Sequence, residues 1–376
     1  MSVQPSQTTI AADGQVRRIA GIPVRNLWLL MFYASDLFRD HGTSNRDVEE
    51  NPDDLPNLVA EILCRRVEIR LHRRLGYGFQ RRDAILTRVR GRIDVFDTER
   101  KRLLEKGKIA CKFDELSINT PRNCYVREAL DTLSRIVSDP DLAHQCRTLA
   151  RSMRSLGVSG DAPARGSVSI HRFGRHDAID APMVSAAHLA FNLALPTQEA
   201  GGRRLSDPET DIHWIRRLYE RGVGGFYDVV TTPDGWTVVQ GKPWQWPVSG
   251  GSPGLASILP LMRTDIVLEH KGNGRRVVLD TKFNDILKPG QYGGEKLRSG
   301  YLYQIYAYLR TQESDLDPFS ANAMGILLHP AVGVSMSESA TIQGHELRFA
   351  TVDLSASAAT IRAQLLEVLE VPHVHR

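Results

Sequence analysis

The chain is notable first for patterns it lacks. Its four cysteines, Cys64, Cys111, Cys124 and Cys146, are far apart and form no C-x-x-C pair. Neither a disulfide framework nor a zinc knuckle is therefore signalled, and a reducing cytoplasm is the expected location. The longest strongly apolar run, Leu27 to Ala34, falls far short of the ~20 residues that span a bilayer. No charged n-region with a following apolar stretch opens the chain, so no export and no membrane partner are expected. There is no G-x-x-x-x-G-K-[ST] loop, because Gly293-Gly-Glu-Lys-Leu-Arg-Ser has the wrong spacing. The chain is thus not expected to hydrolyse nucleotide itself. Its histidines include no H-E-x-x-H, and Gly157-Val-Ser-Gly falls short of the hydrolase elbow G-x-S-x-G. Nor is there an aromatic cage or base-flipping motif for reading a modified base, which places target recognition in a partner.

The composition, 41% hydrophobic and 24% charged over 376 residues, is that of a globular chain of about two domains. The net charge of +4 hides an asymmetry. Residues 61–112 hold sixteen Lys or Arg against seven acids, a balance of +9, which leaves −5 for the remainder. Such a block is either a solvated face or a surface for a polyanion or an acidic protein.

Residues 1–20, rich in Ser, Thr, Gln and Ala without an apolar period, read as a loose tail. From Val24 to Phe38, Leu27, Leu30, Met31, Ala34, Leu37 and Phe38 recur at helical spacing and predict a core helix. A second helix is expected over 55–71. Short strands and turns should follow over 73–97, where Gly76, Gly78 and Gly91 punctuate apolar segments. Thr120-Pro121 is a cap-and-proline signal for a helix through Val137, which Asp139-Pro140 should end. Residues 157–174 read as loop and residues 185–193 as helix. Pro196 to Arg204 is the candidate linker, giving domains of 21–200 and 201–376. Asp207-Pro208 repeats the cap signal, and Ile212, Ile215, Leu218, Tyr219 and Phe226 continue it as an apolar stripe. After a hairpin-like stretch (236–246) come two strands, 264–269 and 276–283, joined by Lys271-Gly-Asn-Gly, then helix 300–311, strand 323–328 and helix 358–369. This order describes an α/β unit.

The chemistry-bearing residues cluster in that second unit. Asp280-Thr281-Lys282 ends the apolar run Val277-Val278-Leu279, and period-2 alternation puts Asp280 and Lys282 on one sheet face. A charged pair leaving a buried strand is expensive without compensation. The preceding strand carries Asp265, which the hairpin brings alongside. Two carboxylates plus the backbone carbonyl of Thr281 would make an all-oxygen site of the kind Mg²⁺ accepts, with Lys282 placed to orient water or offset charge at phosphorus. The simpler alternative is a cross-strand ion pair between Asp265 and Lys282. Glu220 lies on the opening helix, while Gln304 and Tyr308 lie i, i+4 on a later one. Here too simpler roles exist: Glu220 could pair with Arg216 or Arg217, and Tyr308 could be packing.

Helix acid, strand acid, strand D-x-K, helix Q-x-x-x-Y is the order of the PD-(D/E)xK nucleases, which the second domain resembles. The whole chain resembles McrC, the nuclease subunit of McrBC modification-dependent restriction systems. The likeness runs through Ile22-Pro-Val-Arg-Asn-Leu-Trp28, Val89-Arg-Gly-Arg-Ile-Asp94 and Phe113-Asp-Glu-Leu-Ser-Ile-Asn-Thr-Pro-Arg-Asn123. It continues in Leu218-Tyr-Glu220, Met262-Arg-Thr-Asp-Ile266, Leu279-Asp-Thr-Lys-Phe283 and Leu302-Tyr-Gln-Ile-Tyr-Ala-Tyr308.

The resemblance implies a mixed α+β amino-terminal domain that binds an AAA+ partner, followed by a nuclease domain with a central mixed sheet flanked by helices. It implies Asp265 and Asp280 as metal ligands, Lys282 as catalytic lysine, and Glu220 and Gln304 as auxiliary positions. Thr281, where relatives commonly carry alanine, would still offer its carbonyl. The cofactor would be Mg²⁺, with Mn²⁺ as substitute. The substrate would be double-stranded DNA carrying 5-methylcytosine, and the partner an McrB-like AAA+ GTPase hexamer whose hydrolysis the chain stimulates. Arg90, Arg92 and Tyr308 are candidate contacts to that ring or to DNA. The competing expectations are a catalytically silent adaptor of the motor and a nuclease serving a different defence assembly.

Overall fold

The computed structural model describes residues 18–41, 52–161, 163, 178–196, 208–289, 294–331 and 335–369. Most of the expected tail, the linker, most of the 157–174 loop and the Asp207 cap lie outside those residues. The chain divides into two compact units, Met1–Leu55 with Leu195–Arg376, and Pro56–Ala194. Helix α1 (Val24–Tyr33) opens the first. The second unit, inserted between its two parts, runs α2 (Leu55–Arg73), β1 (Gly78–Leu86), β2 (Arg92–Ile93), β3 (Ile109–Ser117), α3 (Pro121–Ile136), α4 (Pro140–Ser155) and α5 (Ala181–Ala194). The first unit resumes with α6 (Pro208–Thr231), β4 (Trp236–Gln240), β5 (Ile266–His270), β6 (Arg275–Thr281), α7 (Ser299–Thr311), β7 (Met324–Ala331), β8 (Ser337–Ile342), β9 (His345–Asp353) and α8 (Ala358–Val368).

Residues 1–55 group with the carboxy-terminal part of the chain, and the reason is long-range packing. A Cβ on Gly225 of α6 would lie 2.0 Å from the Tyr33 carbonyl oxygen, so α1 approaches α6 as closely as glycine alone permits. Tyr33 packs its ring against Phe226 at 5.1 Å between centroids. Asn26 Nδ2 donates to the carbonyls of Leu354 (2.7 Å) and Ala356 (3.0 Å), fastening α1 to the loop after β9. The Ile22–Trp28 phrase therefore belongs to the unit that carries the sheet.

That sheet has six strands in the order β8-β9-β7-β6-β5-β4. β6, β7 and β9 run parallel, whereas β5 and β6, β4 and β5, and β8 and β9 are antiparallel pairs. Val277 to Leu279 of β6 and Ile326 to Leu328 of β7 are buried throughout, the continuous apolar run expected of central strands covered on both faces. The β6–α7–β7 crossover lays Ile305 and Leu309 over Gly325, in a cluster with Val278, Leu327, Leu347 and Phe349. Each such buried side chain contributes about 1.5–3 kcal/mol relative to exposure.

In the inserted unit the short sheet has the order β1-β3-β2. Gly91 adopts φ +69° where any Cβ would meet the Lys112 carbonyl at 2.6 Å, which explains the glycine in the Val89–Asp94 phrase. Asn123 Nδ2 donates to the carbonyls of Ile118 (2.7 Å) and Gly76 (3.0 Å), and Thr120 caps α3 by accepting from Asn123 N. Asp139 does more than end a helix: its Oδ1 accepts from Asp141 N and Leu142 N and so starts α4, whose Ala143, Cys146, Leu149, Ala150 and Met153 form a buried stripe. Among the described residues no helix is long and apolar enough to cross a membrane.

Candidate active site

The β5–β6 hairpin pairs Ile266 with Leu279. One further step of that antiparallel register sets Asp265, just ahead of β5, opposite Asp280. With β5 not yet begun, the Thr281 amide has no strand partner on that side. Asp265 Oδ2 supplies one, accepting from Thr281 N (2.7 Å) and Thr281 Oγ1 (2.9 Å). The threonine thus has a role that alanine could not fill.

Asp280 is 1% exposed. Lys282 Nζ lies 2.5 Å from its Oδ2, and no donor reaches Oδ1. Burial first, and then the charge of Asp265, push the Asp280 carboxyl up to about 6 against the pull of Lys282. Lys282 therefore pairs along its own strand and Asp265 with Thr281, so the expected alternative of an Asp265–Lys282 ion pair is not formed. The ammonium is held from below as well. The Tyr301 ring lies 5.2 Å from Lys282 Nζ, and the Tyr301 hydroxyl meets Asn284 Nδ2 at 2.5 Å. His329 Nδ1 donates to the Asn284 carbonyl (2.8 Å), and burial drives this histidine down to about 4, so it is neutral at ordinary pH.

Glu220, on α6, is raised above the usual carboxylate range by partial burial and then by Asp265. Arg263, Lys282 and Arg216 oppose the shift only through their fields, so the expected alternative of a bonded pair with Arg216 or Arg217 is not what holds it. Glu220 and Asp265 line an open cleft of about 400 Å³ with Arg217, Arg221, Gly241 and Arg263.

Gln304 and Tyr308 do something other than face the cleft. Gln304 Nε2 donates to the Tyr308 hydroxyl (2.7 Å), which donates in turn to the Arg263 carbonyl (2.7 Å). α7 thereby braces the backbone two residues ahead of Asp265. Tyr308 is 8% exposed with its hydroxyl engaged, so its expected role as a surface contact is corrected to that of a buried brace. Arg90 and Arg92 lie in the inserted unit. The Arg90 guanidinium stacks 4.1 Å from the Phe113 ring centroid and reaches Glu115 at 3.3 Å, and Arg92 is exposed on β2.

Sequence reasoning missed Arg217, Arg221 and Arg263 in the cleft, and Asn284, Tyr301 and His329 around Lys282. Arg263 had a usable signal, since it sits two residues before Asp265 in the same phrase. His329 had none, because its partner is 45 residues away.

The donor set at the strand ends is all oxygen, from Asp265 and Asp280 with Glu220 beside them. Among the described residues no three Asp, Glu, His or Cys side chains converge into a ready-made metal cage. A cation that keeps several waters and takes one or two carboxylates fits this arrangement. The buried Asp280 Oδ1, which no donor reaches, is an oxygen that such a cation could take.

Residues 5–170 match the family model described as McrBC 5-methylcytosine restriction system component. The Type IV methyl-directed restriction enzyme EcoKMcrBC of Escherichia coli (strain K12) is 25% identical over 351 residues, 93% of this chain and 97% of that protein. A half-complex from a tetradecameric assembly of Thermococcus gammatolerans McrB AAA+ hexamers with bound McrC aligns at 14% identity and a TM-score of 0.40, over 92% of this chain and 76% of that one. The chain is thus similar to McrBC restriction system components, over residues 5–170 by the family model and over 93% of its length by the Escherichia coli relative.

Proposed function

We propose that this chain is the nuclease component of a McrBC-type restriction system, cutting phosphodiester bonds of modified double-stranded DNA at the end of the β5–β6 hairpin. The observation that carries the reading is the pairing of Asp265 and Asp280 across adjacent strands, with Lys282 2.5 Å from the buried Asp280 carboxylate. Asp265, Asp280 and the Thr281 carbonyl would hold Mg²⁺. When bound, that ion acidifies a coordinated water and offsets charge growing on the phosphoryl oxygens.

Everything else is the work of the chain. Thr281 fixes the Asp265 carboxylate by two hydrogen bonds, so that one oxygen is oriented. Lys282, steadied by Tyr301, presents an ammonium that aligns the attacking water and stabilises the pentacoordinate phosphorus. Glu220, with its raised proton affinity, stands across the cleft as an auxiliary acceptor. Gln304 acts through Tyr308, keeping the Arg263–Asp265 segment in place.

The name of the Escherichia coli relative supports a methyl-directed substrate. The inserted unit supports the second half of the reading, a protein partner of the AAA+ GTPase class. Its small sheet and the short helix that follows Asp94 leave Phe79, Val95, Phe96 and Leu116 more than half exposed among the basic residues. An exposed apolar patch rimmed by charge is a protein-docking surface.

In the test, modified plasmid, GTP, Mg²⁺ and the ring are incubated with the parent chain or Asp280→Ala. Cleavage should fall by more than about 100-fold while GTPase stimulation persists. Retained cutting would remove the assigned site, and stimulation without cutting by the parent would favour an adaptor.

A further inference from the structure

The cleft beside Asp265 holds more positive charge than metal chemistry requires. Arg217 and Arg221 stand one turn apart on α6, on either side of Glu220 in sequence, and Arg263 rises from the strand-like segment ahead of β5. All three are exposed. Among the described residues none of them has a carboxylate within ion-pair distance, whereas Arg39, Arg82, Arg90, Arg100, Arg154, Arg276 and Arg310 elsewhere do. Arg263 is oriented from behind: its Nε donates to the Gly241 carbonyl at 3.2 Å, and its own carbonyl is braced by Tyr308. With Lys282, the three guanidiniums outnumber the carboxylates of Glu220, Asp265 and Asp280 by one charge.

A chain that keeps three arginines out of salt bridges around two carboxylates retains their charge for something else. Planar guanidiniums recognise phosphate with two parallel N–H donors, which suits a polyanionic backbone crossing the cleft. We infer that Arg217, Arg221 and Arg263 form a phosphate clamp that grips the DNA backbone next to the bond to be cut. This inference rests on the nuclease reading and adds to it the residues that seat the strand. Gln304 then acquires a further consequence, since the Gln304–Tyr308 brace positions the Arg263 backbone as well as that of Asp265. The clamp reads no sequence, because phosphate contacts position a duplex without specifying bases.

The test measures binding of a fluorescent duplex to the full chain by anisotropy, in EDTA so that no cutting competes, over a series of salt concentrations. Each lost phosphate contact lowers the slope of log affinity against log salt by about 0.9. Arg217→Gln, Arg221→Gln and Arg263→Gln together should lower it by about 2.7, and Arg221→Gln alone by about 0.9, with thermal unfolding unchanged. The comparison variant, Arg65→Gln with Arg66→Gln and Arg73→Gln, removes the same charge from the basic block and should lower the slope by less. The clamp is overturned if the parent does not bind the duplex, if the triple cleft variant keeps the parental slope, or if the comparison variant loses as much. Those outcomes leave Asp280-dependent cleavage intact, whereas cleavage that survives Asp280→Ala removes the nuclease reading whatever the slope does.

Discussion

The paired arginines of the inserted unit contrast with the cleft arginines of the sheet-bearing unit. In the inserted unit Arg82 and Arg90 share Glu115, Arg100 pairs with Asp97, and Lys112 with Asp94, so several of its basic side chains are laced into local pairs on and beside a small exposed sheet. Large apolar side chains stand among them. In the cleft, Arg217, Arg221 and Arg263 have no carboxylate within ion-pair distance among the described residues. Under the proposed function the first pattern suits a protein partner, with paired charges setting orientation and aromatic side chains supplying affinity. The second suits the phosphate backbone inferred above. Net charge does not distinguish the two; the state of pairing does.

Four changes would break or sharpen that contrast. The largest effect is expected from Gly225→Ala, which drives a methyl group into the Tyr33 carbonyl and should destabilise the sheet-bearing unit by about 3 kcal/mol. Amide exchange should show lost protection in α1 and α6 while residues 121–155 keep theirs. Next, if the proposed AAA+ partner docks on the inserted unit, Phe79→Ser combined with Phe96→Ser should weaken that binding by about 30-fold, read by titration of GTPase stimulation, and leave duplex binding unchanged.

Third comes Asp280→Asn. The native carboxyl is raised from 3.8 to about 6, so the stability it contributes is fully present below pH 3.8 and lost as pH rises through 6. The neutral amide should therefore raise stability by about 2 kcal/mol at pH 7.5, with little gain at pH 3.5, even though Lys282 loses its charged neighbour. Higher melting without cleavage would mark the site as one that sacrifices stability for function. Smallest is His329, which is lowered from 6.5 to about 4. Its contribution is present above pH 6.5 and is lost as pH falls toward 4, by about 1–2 kcal/mol at pH 4.5. His329→Gln should flatten that part of the stability profile.

Much of the candidate site was legible because it is local. Residues 264–283 form one hairpin whose turn chemistry and apolar run fix the register, and the register delivers Asp265 to Asp280. Helix 299–311 was equally clear, though the partner of Gln304 is its own neighbour Tyr308. What escaped was held by distance. Asn26 finds its partners 328 and 330 residues later, so nothing in its neighbourhood announced that α1 belongs with the sheet. β8 and β9 were not anticipated either; β8 is exposed at five of its six positions and lacks an alternating apolar face. The Arg217, Arg221 and Arg263 set spans two elements and becomes a cluster only in three dimensions.

The seam between α1 and α6 has an implication for how the protein is made. Because the first part of the sheet-bearing unit is synthesised long before its second, the helix that must lie against Gly225 waits on the ribosome through about 140 residues of inserted chain. The inserted unit can mature during that interval, whereas the cutting centre cannot form until nearly all of the polypeptide has emerged. If the proposed activity holds, a nascent fragment would carry no assembled cutting centre.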